Sequence, residues 1–500
     1  MATALAVKGN HIGGKDVPVP AGMATFTSVN PANHADVVGV FPRSSAQEIA
    51  QAVEVAKKAF MSWSTTPAPV RGDVLLRIAE RLSEEKEALA QLMSREMGKV
   101  LVEARGDVQE AIDMAKFMSG EGRRALGATY PSELRNKWAM TVRAPLGVVG
   151  CITPWNFPIA IPSWKSFAAI MAGNAVVLKP AEDTPMLAAR FVEILESAGL
   201  PPGVMNVVYG LGEEAGEALL RHPDVKAISF TGSVEVGRHV ASVCGEQLKR
   251  YSLELGGKNA IVVLEDADLD LVVEGSVWGA FGTSGQRCTA TSRLIVQRKV
   301  LPALLERLVA RVQSLHVGPG TDPTIEVGAV INDTQKQRIL SYITIGKEEG
   351  ATLLTGGNAL TDGIFHEGSF IEPTIFSGVR PDMRIAQEEI FGPVLSVIPV
   401  DTLDEAIEVA NGTPYGLSLS IYTASVHATF QAIERFDAGL VYVNAPTIGA
   451  EIQLPFGGTK QTGNGFREAG ATAFDEFTEW KSVYIDYSGQ LQRAQIDTEA

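Results

Sequence analysis

Between residues 146 and 260, short and almost continuously apolar segments recur at 146–152, 175–178, 204–209, 227–230 and 252–255. Helical texture fills the gaps, up to residue 171, over 185–198, and through residues 220 and 243. A strand that is apolar on both faces has to be covered on both faces, and strands separated by helices pair in parallel through right-handed crossovers. The pattern therefore predicts an α/β fold with a Rossmann-like, doubly wound parallel sheet, which binds ligands at the carboxyl ends of its strands.

A second α/β alternation runs over 259–443, with a helix at 268–281 and strands at 292–296 and 395–400. Ahead of the first sheet, residues 45–127 read as helical. Ser45-Ala-Gln-Glu48 is a capping box, apolar residues recur through Ile49, Val53, Ala56 and Phe60, and further helices are expected over 71–82, 83–97 and 100–126. Residues 138–145 alternate like a half-exposed strand, and the tail after Gly470 carries a strand-like stretch at 482–485. With no internal repeat or long linker, closely packed domains are expected.

Composition narrows the function. A chain of 500 residues, 45% of them hydrophobic, buries a sizeable core and is long enough for several domains of about 100–200 residues each. The excess of 58 acidic over 43 basic residues, a net charge of -15, repels nucleic-acid phosphates and anionic lipids, and no Lys/Arg cluster reverses it. Neither a nucleic-acid nor a membrane partner is expected. The apolar region 146–178 is interrupted by Pro154, Asn156, Pro158, Pro162, Lys165 and Asn174, which excludes a plain membrane-spanning helix. The apolar start at residues 1–7 lacks the charge and length of a signal peptide and reads as the start of the mature chain. The cysteines, Cys151, Cys244 and Cys288, show neither paired nor metal-ligand spacing, so no metal is expected and a reducing, cytoplasmic setting is.

Several strand ends carry residues that chemistry can use. Gly210-Leu-Gly212-Glu-Glu-Ala215 has dinucleotide-loop spacing, but Glu213 and Glu214 would compete with a phosphate for the first-turn N–H groups, which favours an ordinary capped helix start. Phe230-Thr231-Gly232-Ser233, with Gly237 one turn on, offers hydroxyls and a bare backbone at a strand-to-helix turn; Ser233 as a plain N-cap is the alternative. Lys179 either snorkels out of its strand or, with Glu182, flanks a ribose whose hydroxyls Glu182 accepts; that carboxylate would repel a 2'-phosphate. Cys288, in Gly285-Gln-Arg287-Cys288, is either a buried hydrophobe or a nucleophile beside a cation. Glu254, followed by Gly256 and Gly257, is either a paired acid or one with space beside it for water.

Together the motifs carry a resemblance. Pro154-Trp-Asn-Phe-Pro158, Lys179-Pro-Ala-Glu182, Phe230-Thr-Gly-Ser233, Leu253-Glu-Leu-Gly-Gly-Lys258, Gly285-Gln-Arg-Cys288, Glu388-Glu-Ile-Phe-Gly-Pro393 and Pro455-Phe-Gly-Gly458 stand in the order of the aldehyde dehydrogenase superfamily. The resemblance implies that Cys288 attacks the aldehyde, that Asn156 and the Cys288 backbone N–H hold the oxyanion, and that Glu254 activates the water that hydrolyses the thioester. It implies an NAD site, with NADP as the alternative, made by Thr153, Trp155, Lys179, Glu182, Thr231, Gly232, Ser233, Gly237, Leu255, Glu389 and Phe391. It implies a dinucleotide domain over 1–125 and 146–256, a second α/β catalytic domain over 257–469, and a small β oligomerisation flap over 126–145 and 470–500. Homodimers or homotetramers are expected. Cys288-Thr-Ala-Thr-Ser-Arg293 and Gly449-Ala-Glu-Ile-Gln-Leu-Pro-Phe456 are similar to the branch oxidising carboxylated semialdehydes such as α-ketoglutaric semialdehyde. Arg287 either pairs with the substrate's distal carboxylate or points into protein. A CoA-acylating relative, which needs no water-activating acid, and a non-catalytic binding protein are the competing expectations.

Overall fold

The computed structural model describes residues 6–124 and 127–497. The apolar start through Leu5, the expected helix end and domain boundary at residues 125–126, and the last three residues lie outside them. The first sheet has the order Met205–Val207, Ala175–Lys179, Val148–Ile152, Val225–Thr231, Arg250–Glu254, parallel throughout. The first strand in the chain lies in the middle and the order reverses beside it, so the switch point falls between Val148–Ile152 and Val225–Thr231. Register pairs Ile152 with both Lys179 and Phe230, and Thr231 with Glu254, which brings the ends of four strands into one row.

Side chains alternate between two cores across this sheet. Val149, Cys151, Val176 and Leu178 pack on one face, and Val148, Val177, Ile228 and Phe230 on the other. Cys151 is thus a core hydrophobe. The second sheet runs Thr352–Thr355, Thr374–Ser377, Val394–Val400, Thr291–Gln297, Asn259–Val263, Ser418–Tyr422, Leu440–Val443, and only its first pair is antiparallel. It too is covered on both faces, with Val262 and Ile295 on one side and Ile261 and Leu294 on the other. The tail strand Thr478–Asp486 pairs antiparallel with Lys137–Pro145, which also pairs with Gly127–Tyr130.

The expected elements shift in specific places. The last helix of the helical region is Leu101–Glu121, shorter than expected; its C-cap is Gly122, which passes so close to Ala68 that a Cβ would lie 2.6 Å from the Ala68 carbonyl oxygen. After Met205–Val207 comes a π-helical turn, Gly212–Gly216, without a side-chain cap. Glu214 is ion-paired with Arg43 and Gly210 lies against the Ser44 backbone, so this is neither a side-chain-capped helix start nor a phosphate loop. An antiparallel hairpin, Thr25–Asn30 with Asn33–Pro42, has no counterpart in the expected elements. Among the described residues no helix is long and apolar enough to cross a membrane.

Two helices packed near the strand ends are capped from other parts of the chain. Glu96 accepts from the N–H groups of Met186 and Leu187 at the start of Pro185–Ser197. Asp107 accepts from the Ala160 N–H at 2.7 Å, at the start of Ala160–Ala172, and from Lys99 Nζ at 2.8 Å, with both of these charged side chains fully buried. Lys99 also lies 3.8 Å above the ring of Phe157. Asp107→Ala would strand a buried ammonium and an orphan N–H, a loss of about 3–5 kcal/mol. Its melting temperature should fall by several degrees, with Asp107→Asn, which can keep the acceptor for Ala160, falling less; equal melting of wild type and both variants would show the pair to be dispensable.

Candidate active site

The row of strand ends faces a cleft, and the segments that leave those strands build its walls. Thr153 follows Val148–Ile152 and its N–H donates to the Lys179 carbonyl at 3.2 Å. Its hydroxyl, and that of Thr231 at the end of Val225–Thr231, are buried without a hydrogen-bond partner. Ser233 is the N-cap of Val234–Glu246, accepting from the Val236 N–H. Ser233 also lines a cavity shared with Trp155, Asn156, Thr231, Gly232, Leu255, Cys288, Glu389 and Phe391. Its two expected roles are therefore compatible. Gly237 stands behind this wall, so close to Leu255 that a Cβ would collide with the leucine side chain.

Lys179 and Glu182 lie at the end of the neighbouring strand, joined by an ion pair of 2.7 Å, and do not line that cavity. Gln335 and Arg338 do, and sequence reasoning missed both. Gln335 donates to the carbonyls of Ile390 and Phe391, and Arg338 to the carbonyl of Glu389. They hold Phe391 in a left-handed conformation with φ 59°, its ring edge-on to Trp155 with centroids 5.4 Å apart. The helix Asp333–Glu348 offers no motif that signals this, since the contact exists only once the helix packs on the loop.

Cys288 follows a left-handed run, Thr283, Ser284 and Gly285, with φ 52°, 54° and 70°. Two of these are non-glycine residues, a conformation that costs of order 1–3 kcal/mol each and persists only when neighbours enforce it. Glu103 supplies much of the enforcement, accepting from the Thr283 N–H at 2.7 Å, the Thr283 hydroxyl at 3.1 Å and Arg287 Nη2 at 2.8 Å. Ser284 donates to the Gly328 carbonyl, and Gln286 accepts from the Ile331 N–H. Asn156 donates through Nδ2 to the Gln286 carbonyl at 3.1 Å, which ties the end of the first sheet to the cysteine loop.

Arg287 therefore spends its charge on Glu103, and its Nε donates to Thr283 Oγ1. It still lines a second cavity, with Glu110, Phe157, Trp164, Glu254, Cys288 and Phe456. Burial pushes the Cys288 thiol up to about 12, reinforced by Glu254 and Glu389 and opposed by the Thr289 backbone N–H. Glu254 ends its strand with Oε2 buried and unpartnered. Burial, then the like charge of Glu468, push its carboxyl well above the usual range, while Lys165 and Arg467 oppose the shift. Among the described residues no cluster of His, Cys, Asp and Glu could hold a metal ion. Cys288 and Thr231 line both cavities, so one thiol is open to both chambers.

Comparison with known proteins bears on this arrangement. A model described as the aldehyde dehydrogenase family matches residues 19–483. The chain is 42% identical over 456 residues to an α-ketoglutaric semialdehyde dehydrogenase of Bacillus subtilis strain 168, covering 91% of this chain and 93% of that protein. It is 42% identical over 462 residues to a 2,5-dioxopentanoate dehydrogenase of Saccharolobus solfataricus, covering 92% and 96%. The crystal structure of PnpE in complex with nicotinamide adenine dinucleotide superposes with TM-score 0.94 at 37% identity, covering 97% of this chain and 98% of that one.

Cys151 and Cys244 are buried and Cys288 is partly open, so iodoacetamide should label Cys288 alone in the folded protein. Because the thiolate is the reacting form and burial raises the thiol, the labelling rate should climb from about pH 7 to pH 10 without levelling off. Peptide mapping checks the site, and a plateau below about pH 8 would show that the thiol is already activated.

Proposed function

The chain belongs to the aldehyde dehydrogenase family, and on that premise we propose that it oxidises a carboxylated semialdehyde of the α-ketoglutaric type to the free acid with NAD. The observation that carries the reading is that Cys288 opens to two cavities, one walled by the switch-point segments and the other by Glu254. A thiol so placed can meet an aldehyde from one side and an electron acceptor from the other. The names of the two curated relatives support the substrate class.

The residues present fit the dinucleotide. Thr153 and Thr231 keep buried, unpartnered hydroxyls at the switch point, and Gly232 and Gly256 leave the backbone bare. Trp155, Thr231, Gly232, Ser233, Leu255, Glu389 and Phe391 would hold it, with Lys179 and Glu182 at the adjacent strand end and Thr153 and Gly237 supporting the wall. When bound, NAD supplies a two-electron acceptor.

Cys288 loses its proton and adds to the aldehyde carbon, so that the carbonyl oxygen becomes an oxyanion. Asn156 Nδ2 has two N–H bonds and gives one to Gln286, which leaves the other for the oxyanion beside the Cys288 N–H. Oxidation of that carbon leaves a thioester on Cys288. Glu254, whose raised basicity suits proton abstraction, takes a proton from the attacking water, the carbon–sulfur bond breaks, and the acid leaves with Cys288 restored.

We assign residues 1–125 and 146–256 to the dinucleotide, 257–469 to catalysis, and 126–145 with 470–500 to assembly into a homodimer or homotetramer. Exposed Tyr130, Trp138, Trp480 and Tyr484 on the three-stranded flap support the last assignment. A free nucleophilic thiol suits a reducing, cytoplasmic compartment.

The test is an aldehyde panel with NAD, with and without CoA, following NADH and the acid product. Cys288→Ala should abolish oxidation and leave NAD binding intact. Glu254→Gln should give a rapid burst of NADH followed by turnover slower by about a hundred- to ten-thousandfold. Loss of the burst would assign Glu254 to thiol activation instead, and CoA-dependent turnover with a thioester product would overturn hydrolysis.

Glu182 bears on the cofactor. A carboxylate at the ribose repels a 2'-phosphate, so kcat/KM with NAD should exceed that with NADP. Glu182→Gln should narrow the gap, and equal efficiencies in the wild type would refute the assignment.

A further inference from the structure

Helix Leu101–Glu121 carries acids at 103, 107 and 110, a spacing of four and three that places them along one face. Two have structural partners. Glu103 holds Thr283 and Arg287, and Asp107 holds Lys99 and the Ala160 N–H. Glu110 makes no hydrogen bond or ion pair with any described residue, yet it lines the Glu254 cavity, the one left for the aldehyde when the dinucleotide takes the other, together with Arg287, Cys288 and Thr289. The neighbouring lining is largely apolar, Phe157, Ile161, Trp164 and Phe456. An unpaired carboxyl in such a wall is open to whatever fills the cavity.

We propose that Glu110 is a specificity-determining residue: neutral, it donates a hydrogen bond to the remote carboxylate of the substrate beside Arg287, and anionic, it turns that carboxylate away. The proposal rests on the carboxylated-semialdehyde reading above. Arg287 has committed Nη2 and Nε to Glu103 and Thr283, so it offers the carboxylate an incomplete fork and leaves room for a second donor. A cationic substrate end would face Arg287 as a like charge.

The groups facing Glu110 are Asp107 and Asp113 on its own helix, Lys99 just before that helix, Arg287 on the cysteine loop and Tyr442 on Leu440–Val443. Burial, then Asp107, push its carboxyl up to about 7, against Lys99 and Arg287. It is therefore mainly neutral below neutrality and anionic above. A substrate carboxylate stays ionised throughout that range.

The experiment measures kcat/KM with NAD for α-ketoglutaric semialdehyde and for an uncharged aldehyde of equal length, from about pH 6 to pH 9, in wild type and Glu110→Gln. The ratio of the two values cancels ionisations that both substrates share, such as that of Cys288, and any general loss in the variant. In the wild type the ratio should favour the semialdehyde at pH 6 and fall about tenfold or more by pH 9. In Glu110→Gln, whose amide donates at every pH, the ratio should be flat. A favourable but pH-independent wild-type ratio, or an unchanged slope in the variant, overturns the proposal and leaves the functional reading standing. A ratio below one at every pH removes the carboxylated-semialdehyde reading, and this proposal with it. An ammonium-bearing aldehyde increasingly preferred as pH rises would make Glu110 a cation site and overturn the proposal as well. The wild-type profile decides the matter by itself if the variant fails to fold.

Discussion

The site depends on one short crossing of the chain, Leu255 to Lys258, which leaves the first sheet at Glu254 and enters the second at Asn259. The Leu255 N–H donates to the Thr462 carbonyl, and the Gly257 N–H to Glu389 Oε1 at 3.0 Å. A Cβ at Gly256 would run into the Glu389 carboxylate, and one at Gly257 would lie 2.6 Å from the Cys288 carbonyl oxygen. Both sheets can therefore bring their functional loops to the same point only because two successive residues lack side chains. The same link fixes Glu254 by the end of its strand, so Glu254, the Cys288 loop and the Glu389 wall of the cleft share one scaffold element.

Around that crossing the protein tolerates costs that a purely structural core would avoid. Thr283, Ser284 and Phe391 sit in left-handed backbone conformations, and the hydroxyls of Thr153 and Thr231 and one oxygen of Glu254 are buried without partners. The compensation lies one layer back. Lys165, fully buried, is paired with Glu468 and donates to Ser229 at 3.0 Å; Ser229 meets Ser252, which donates to Glu476. This network keeps the ends of the central strands fixed while leaving Glu254 unpaired. Other left-handed residues, such as Asn136 and Leu248, and other unpartnered buried groups, such as the Tyr209 and Tyr422 hydroxyls, lie elsewhere in the fold, but Phe391, Thr231 and Glu254 line the two cavities that meet at Cys288.

Part of this was legible in residues read singly. The apolar segments gave the parallel sheets, and Ser45 and Glu48 form the capping box they predict. Cys288, Glu254 and Thr231 stood out by their own chemistry, whereas Asn156 and Glu389 were named only through the family resemblance, and all five line the two cavities that meet at Cys288. The hairpin at residues 25–42 was not legible. Nor were Gln335, Arg338 and Glu110, because each acts through a neighbour distant in the chain. Arg287 shows the limit most clearly: its position beside Cys288 left open whether it reads a substrate carboxylate or points into protein, and only the packing of helix Leu101–Glu121 reveals that it pairs with Glu103 while still lining a cavity.

The sequence by itself determined the α/β alternation, the strand ends that carry chemistry and the glycines that let backbones approach, because periodicity, turn residues and missing side chains are local properties. The tertiary structure alone decided which charges are neutralised. Glu103, Asp107 and Glu110 are three acids on one helix face, and nothing in their spacing separates the loop anchor, the helix cap and the unpaired acid. Burial and partner distance do, since the ionisation of a carboxyl depends on what the fold places within a few ångströms of it.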